Sequence, residues 1–137
     1  MSPRAYVALG SNLGDRVAHL ALARRRLGML ERTRLLGAST LEDTLPLENS
    51  KQPSYLNQMV ALDTLLAPDA LLRACHAVER EAGRERRERW GSRTLDLDLV
   101  AYQGVTAATD SLTLPHPGLA GRPFWRRELA ELERLGL

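Results

Sequence analysis

Residues 93–101 read Arg93-Thr94-Leu95-Asp96-Leu97-Asp98-Leu99-Val100-Ala101, an alternation of apolar and acidic residues with a period of two. Successive side chains of a strand point to opposite faces, so Leu95, Leu97 and Leu99 share one face while Asp96 and Asp98 share the other. The leucine face predicts a core beneath the strand. The two carboxylates sit about 6.6 Å apart along it, close enough to converge on one point. Like charges on one face are costly unless a cation is held between them, and hard oxygen ligands suit magnesium better than zinc. Taken alone, Asp-x-Asp more often marks an edge strand with a solvated polar face.

Immediately upstream, Arg84, Arg86, Arg87, Arg89 and Arg93 fall in one short segment. Planar guanidinium forks match phosphate oxygens, although a solvated helix end has the same composition. Arginines followed by paired carboxylates supply both the cations and the metal-binding anions that phosphoryl transfer needs. Further upstream, Pro68 opens and Gly83 closes a helix carrying Leu71, Leu72, Ala74 and Val78. Asn57 to Leu65 reads as a strand, and Leu45 to Pro53, with two prolines, as a loop. Arg32 to Leu41 reads as another strand. At the start, the apolar run Ala5 to Leu9 leads through Gly10-Ser11-Asn12-Leu13-Gly14-Asp15 into a helix marked by Val17, Leu20, Ala21, Leu27 and Leu30. Downstream of the acidic strand come a Gln103-Gly104 turn, a short strand entering Pro115-His116-Pro117, and a last helix over Pro123 to Leu135. Interleaved strands and helices with hairpin-like turns predict an α/β sandwich with a mostly antiparallel sheet.

The chain's 137 residues, 44% of them hydrophobic, suffice for one compact domain spanning 1–137. No apolar run approaches a bilayer's thickness and no signal-peptide pattern follows Met1, so a cytoplasmic location is expected. The single cysteine, Cys75, excludes an internal disulfide and reads as a buried, inert thiol. Lys51 is the sole lysine and the net charge is only +2. A nucleic-acid-binding module is disfavoured by that balance and by an acidic pair that would repel the ligand.

The turn Gly10 to Asp15 lacks the lysine and hydroxyl of a Walker A loop and is read as structural. His19 and His76 are expected on helix surfaces, whereas His116, pinned between two prolines, is better placed for an anion or a base. Tyr55 and Asn57 share one side of an extended segment, where a ring beside an amide can stack a flat heterocycle and read its edge. An ordinary core tyrosine remains the alternative. Trp90 and Phe124 are among the few other aromatic residues.

Four separated blocks, in order, are similar to one family: Tyr6 to Asp15, Thr44 to Asn57 ending in Tyr55-Leu56-Asn57, Arg89-Trp-Gly-Ser-Arg-Thr-Leu-Asp-Leu-Asp98, and Leu114-Pro-His-Pro117 with Arg122 and Phe124. The chain resembles 6-hydroxymethyl-7,8-dihydropterin pyrophosphokinase along almost its whole length. The resemblance implies a ferredoxin-like three-layer α-β-α sandwich (α+β) and transfer of diphosphate from MgATP to the pterin hydroxymethyl group, releasing AMP, in folate biosynthesis. By the same resemblance Asp96 and Asp98 would hold two Mg2+ ions, and Thr44, Leu47, Tyr55, Asn57, Trp90 and Phe124 would form the pterin pocket. His76, Glu79, Arg84, Arg86, Arg93, Leu99, Thr113, His116 and Arg122 would line the ATP side, with Arg84 and Arg93 stabilising transferring charge. Loops over 45–54 and 84–92 would close on the substrates. The implied partners are the two small molecules, without nucleic acid or membrane, in a monomer. Leu45, Glu48, His76 and Ser111 depart from the usual pattern of the family.

Overall fold

The computed structural model describes residues 2–45, 53–83 and 94–137. Its elements run β1 (Arg4–Ser11), α1 (Arg16–Gly28), β2 (Thr33–Ala38), β3 (Glu42–Thr44), β4 (Tyr55–Thr64), α2 (Pro68–Ala82), β5 (Asp96–Tyr102), β6 (Ala107–Ala108), β7 (Thr113–Leu114) and α3 (Pro123–Arg134), with a 3-10 turn at Pro117–Leu119 before α3. The main sheet has the order β2-β4-β1-β5, and β3 pairs with the first half of β4. Every neighbouring pair is antiparallel. Strands β1 and β2 therefore run parallel with β4 between them, and β4 and β5 run parallel with β1 between them. The units β1-α1-β2 and β4-α2-β5 interlock as two split βαβ motifs, the ferredoxin-like arrangement expected from the resemblance.

Strand alternation divides the interior into two layers. On one face Ala5, Val7 and Leu9 of β1, Val60 and Leu62 of β4, and Leu97 and Leu99 of β5 pack with Leu20, Leu27, Leu71 and Cys75 of α1 and α2. On the opposite face Ala8, Met59, Ala61 and Val100 pack with Trp125 and Leu132 of α3. The leucines of the acidic strand thus face the α1/α2 layer, as their spacing predicts, and its aspartates belong to the α3 face.

Local chemistry fixes the element ends. The Asp15 side chain accepts the Ala18 N–H at 3.1 Å and caps α1, while Gly14 at φ 71° makes the left-handed turn before it. The segment Gly10 to Asp15 carries the chain from β1 into α1, with Gly10 and Ser11 continuing β1. Pro68 sits in the first turn of α2 and Gly83 follows its last residue. The second strand stops at Ala38, before the predicted Leu41, because Ser39 turns inward: its Oγ accepts the Met59 N–H and its carbonyl accepts Gln58 Nε2. That break frees Glu42–Thr44 to form β3, a strand the sequence pattern did not suggest. Arg16 clamps this corner, reaching Asp43 at 2.9 Å and the Ser54 carbonyl at 3.1 Å.

Candidate active site

The site grows from one row of residues across the sheet. Gly10 of β1 pairs with Asn57 of β4 on one side and with Asp96 of β5 on the other. In the next row toward the core of that face, Ala8 lies between Met59 and Asp98. Paired residues share a face, so Asn57, Asp96 and Asp98 all stand on the α3 side of the sheet, with small residues between them. A Cβ on Gly10 would meet Asn57 Oδ1 at 3.2 Å and the Tyr55 ring at 3.6 Å. Tyr55 and Asn57 therefore flank the same hollow, as their i, i+2 spacing predicts. Asn57 Nδ2 donates to Thr44 Oγ1 and to the Tyr55 carbonyl, which fixes the amide and leaves Oδ1 toward Gly10. Phe124, in the first turn of α3, packs against the apolar layer of this face.

The β5 edge of the site depends on an irregularity in that strand. Tyr6 pairs with Ala101 and Val7 with Leu99, so Val100 is an extra residue, a β-bulge that puts both Val100 and Ala101 on the α3 side. The strict alternation read from the sequence ends there. The Val100 carbonyl accepts the His116 N–H at 2.8 Å, which docks the Pro115-His116-Pro117 segment against β5. His116 Nε2 then lies 3.6 Å from Asp98 Oδ1. Its Nδ1 accepts the Gly118 N–H at 2.9 Å, so the ring hydrogen resides on Nε2, facing the carboxylate.

Outside the edge strand a cleft of about 270 Å³ is lined by His76, Asp98, Leu99, Asp110, Thr113 and His116 among others. Four residues expected on the ATP side, His76, Leu99, Thr113 and His116, thus meet in one cleft beside an expected metal ligand. Leu99 contributes a wall only, its side chain being part of the core at 1% exposure. Glu79 Oε2 accepts the Leu97 N–H at 2.8 Å and so ties α2 to the start of β5. Arg122 lies at the foot of α3 with its guanidinium over the Trp125 ring. Leu47, Arg84, Arg86, Trp90 and Arg93, and most of the two expected closing loops, lie outside the described residues.

The donor set at the two aspartates fits magnesium. Both offer hard oxygens from one strand face, and the Asp98 side chain is 43% exposed. Among the described residues no cluster of three ligating side chains occurs. An ion held by two carboxylates keeps most of its coordination sphere for water and phosphate oxygens, as magnesium does. Cys75, by contrast, is fully buried, and burial, followed by the charges of Glu79 and Asp98, pushes its thiol up to about 12. It is the inert thiol expected.

Sequence reading missed one buried carboxyl. Glu128 of α3 is 1% exposed, and as an ionised carboxylate it would find no donor for either oxygen among the described residues. Burial first, and then the neighbouring Glu42, push it up to about 9, against which Arg127 pulls weakly down. At neutral pH it keeps its proton, whose O–H has Glu42 as its acceptor. Its position three residues beyond the buried Trp125 was the available signal, but a glutamate there reads as surface.

The model of the family described as 7,8-dihydro-6-hydroxymethylpterin-pyrophosphokinase matches residues 6–134. A 2-amino-4-hydroxy-6-hydroxymethyldihydropteridine pyrophosphokinase of Methylorubrum extorquens is 40% identical over 129 residues, covering 94% of this chain and 82% of the relative. The enzyme of the same name from Pseudomonas putida is 45% identical over 119 residues, 85% of this chain and 96% of the relative. That of Bacillus subtilis is 37% identical over 132 residues, 96% and 79% of the two chains.

Proposed function

This chain belongs to the 7,8-dihydro-6-hydroxymethylpterin-pyrophosphokinase family, and from that premise we propose how its residues divide the reaction. The protein is a pyrophosphokinase of folate biosynthesis with ATP as co-substrate, moving diphosphate onto 6-hydroxymethyl-7,8-dihydropterin. The observation that carries the division of roles is the row Asn57, Gly10, Asp96. An amide and a carboxylate stand two strand spacings apart, about 9.6 Å, with a glycine between them. A flat bicyclic ring lying over Gly10 can meet Asn57 at one end while its hydroxymethyl arm extends toward the acidic strand.

Tyr55 and Phe124 flank the ring, Asn57 reads its amide edge, and Thr44, Leu47 and Trp90 complete the pocket. The triphosphate approaches from the edge-strand side, where His76, Glu79, Leu99, Thr113, His116 and Arg122 contribute walls and donors, with Arg86. Asp96 and Asp98 would hold two magnesium ions, which would neutralise charge on the triphosphate. Arg84 and Arg93 stabilise charge on the transferring group as the hydroxyl oxygen bonds to the β-phosphorus and the bond from that phosphorus to the AMP oxygen breaks. Closure of the loops over 45–54 and 84–92 excludes water, so that the hydroxymethyl oxygen and not solvent is the acceptor. The chain works as a monomer of one domain, in the cytoplasm. No described helix is long and apolar enough to cross a membrane.

Incubation with magnesium, ATP and the hydroxymethyl pterin should yield AMP in step with a pterin diphosphate. Asp96→Ala should lower turnover by orders of magnitude while leaving the circular-dichroism spectrum unchanged. Turnover by that variant at the parental rate would remove Asp96 from the metal site.

A further inference from the structure

Arg122 is held in an unusual way for a cation at an active site. Its Cζ lies 4.6 Å from the centroid of the Trp125 ring, and among the described residues no carboxylate pairs with it and no acceptor takes its N–H groups. Positive charge on a π face is attracted without being neutralised. Its guanidinium hydrogens are therefore not committed to a carboxylate and can be offered to an anion.

Trp125 is able to serve as such a platform because it is buried and closely packed. It is 3% exposed and packs with Ala8, Met59, Ala61, Val100 and Leu132 in the layer beneath α3. The same indole also meets His116, with ring centroids 5.0 Å apart and planes at 86°. His116 is otherwise held by its N–H to Val100 and by Gly118 on Nδ1. One buried ring thus touches both a guanidinium and an imidazole whose Nε2 faces Asp98.

Gly118 supplies the other half of the device. A Cβ there would overlap Arg122 Nη1 and come within 3.0 Å of both Arg122 Cζ and His116 Nδ1. The guanidinium occupies the space that any side chain at 118 would take. Gly118 has no positive φ, so its backbone would accept alanine without strain, and space alone accounts for the need for glycine.

We propose that Trp125 and Gly118 are positioning residues for the nucleotide. Together they form a slot that holds Arg122, unneutralised, next to His116 as a pre-set pair of donors for the polyphosphate of ATP. This rests on the assignment of His116 and Arg122 to the ATP side, and deepens it by naming what orients them. Neither residue touches the substrate; each acts through Arg122 and His116.

The test compares Gly118→Ala, Trp125→Leu and Trp125→Phe in the full-length protein by steady-state kinetics, with His116 followed by NMR. Gly118→Ala leaves the core untouched and should raise KM for ATP about tenfold while KM for the pterin stays within twofold, the loss expected when one oriented cationic contact is released. Trp125→Leu should do the same and should also remove the ring-current displacement of the His116 imidazole signals. Trp125→Phe, which restores an aromatic face, should recover most of the ATP affinity. Should Gly118→Ala and Trp125→Leu both keep the parental KM for ATP, the slot has no positioning role and the inference is overturned. Should ATP fail to shift the His116 signals in the unaltered protein, the assignment of His116 to the nucleotide side is itself wrong, and the inference falls with it.

Discussion

At the scale of single residues, Gly10 and Glu128 carry the sharpest expectations. Gly10 is the floor of the hollow between Asn57 and Asp96, and a methyl group there would press on Asn57 Oδ1 at 3.2 Å. Gly10→Ala should weaken pterin binding about tenfold, roughly 1.4 kcal/mol, with little effect on thermal stability. Calorimetric titration with the pterin checks this, and an unchanged Kd would mean that the ring does not lie over Gly10. Glu128 titrates from a normal carboxyl value of 4.5 in the unfolded chain to about 9 in the folded one. Between these values the folded state binds a proton that the unfolded state has lost. Stability is therefore fully present below about 4.5 and falls as pH rises toward 9. Glu128→Gln, which keeps a donor for Glu42 but cannot ionise, should flatten that slope in urea unfolding measured from pH 5 to pH 9. An identical slope in the variant would place the titrating group elsewhere.

At the scale of elements, β5 does two jobs with one alternating pattern. Leu97, 2% exposed, anchors the strand in the α1/α2 layer, while Asp96 and Asp98 emerge on the α3 face. Leu97→Ala should cost about 2–5 kcal/mol of stability, as large-to-small changes in a packed core do. In chemical denaturation it should behave as a folding defect, with turnover per folded molecule nearly retained. The cap of α1 is separable from the site. Asp15→Ala removes the acceptor of the Ala18 N–H and should cost about 1 kcal/mol without altering KM for either substrate. The sequence pattern located both elements because their signals are local: alternation for β5, and a turn leading into an apolar repeat for α1. It could not locate β3, since three residues carry no period, and Glu42–Thr44 is extended only because β4 offers its edge.

At the scale of the molecule, the two interlocked βαβ units bury Cys75 between α2 and the sheet. A disulfide reagent should label it at the rate of global unfolding, and stabilisation by bound nucleotide should slow labelling in proportion. Fast labelling of the native protein would mean that α2 opens locally. How much of this organisation was legible beforehand follows from the range of the signals. The sequence by itself determined the helices and the longer strands, that one face of 93–101 is buried, that Tyr55 and Asn57 look the same way, and, through four ordered blocks, the family. Each of these depends on spacing along the chain, which the pleat of a strand and the turn of a helix convert directly into direction. Only the tertiary structure decided that Gly10 lies between Asn57 and Asp96, that a bulge at Val100 brings His116 to Asp98, and that Glu128 is a buried acid rather than a surface one. Strand order and register set these contacts, and both arise from the joint packing of two layers, a constraint that no local stretch of sequence contains.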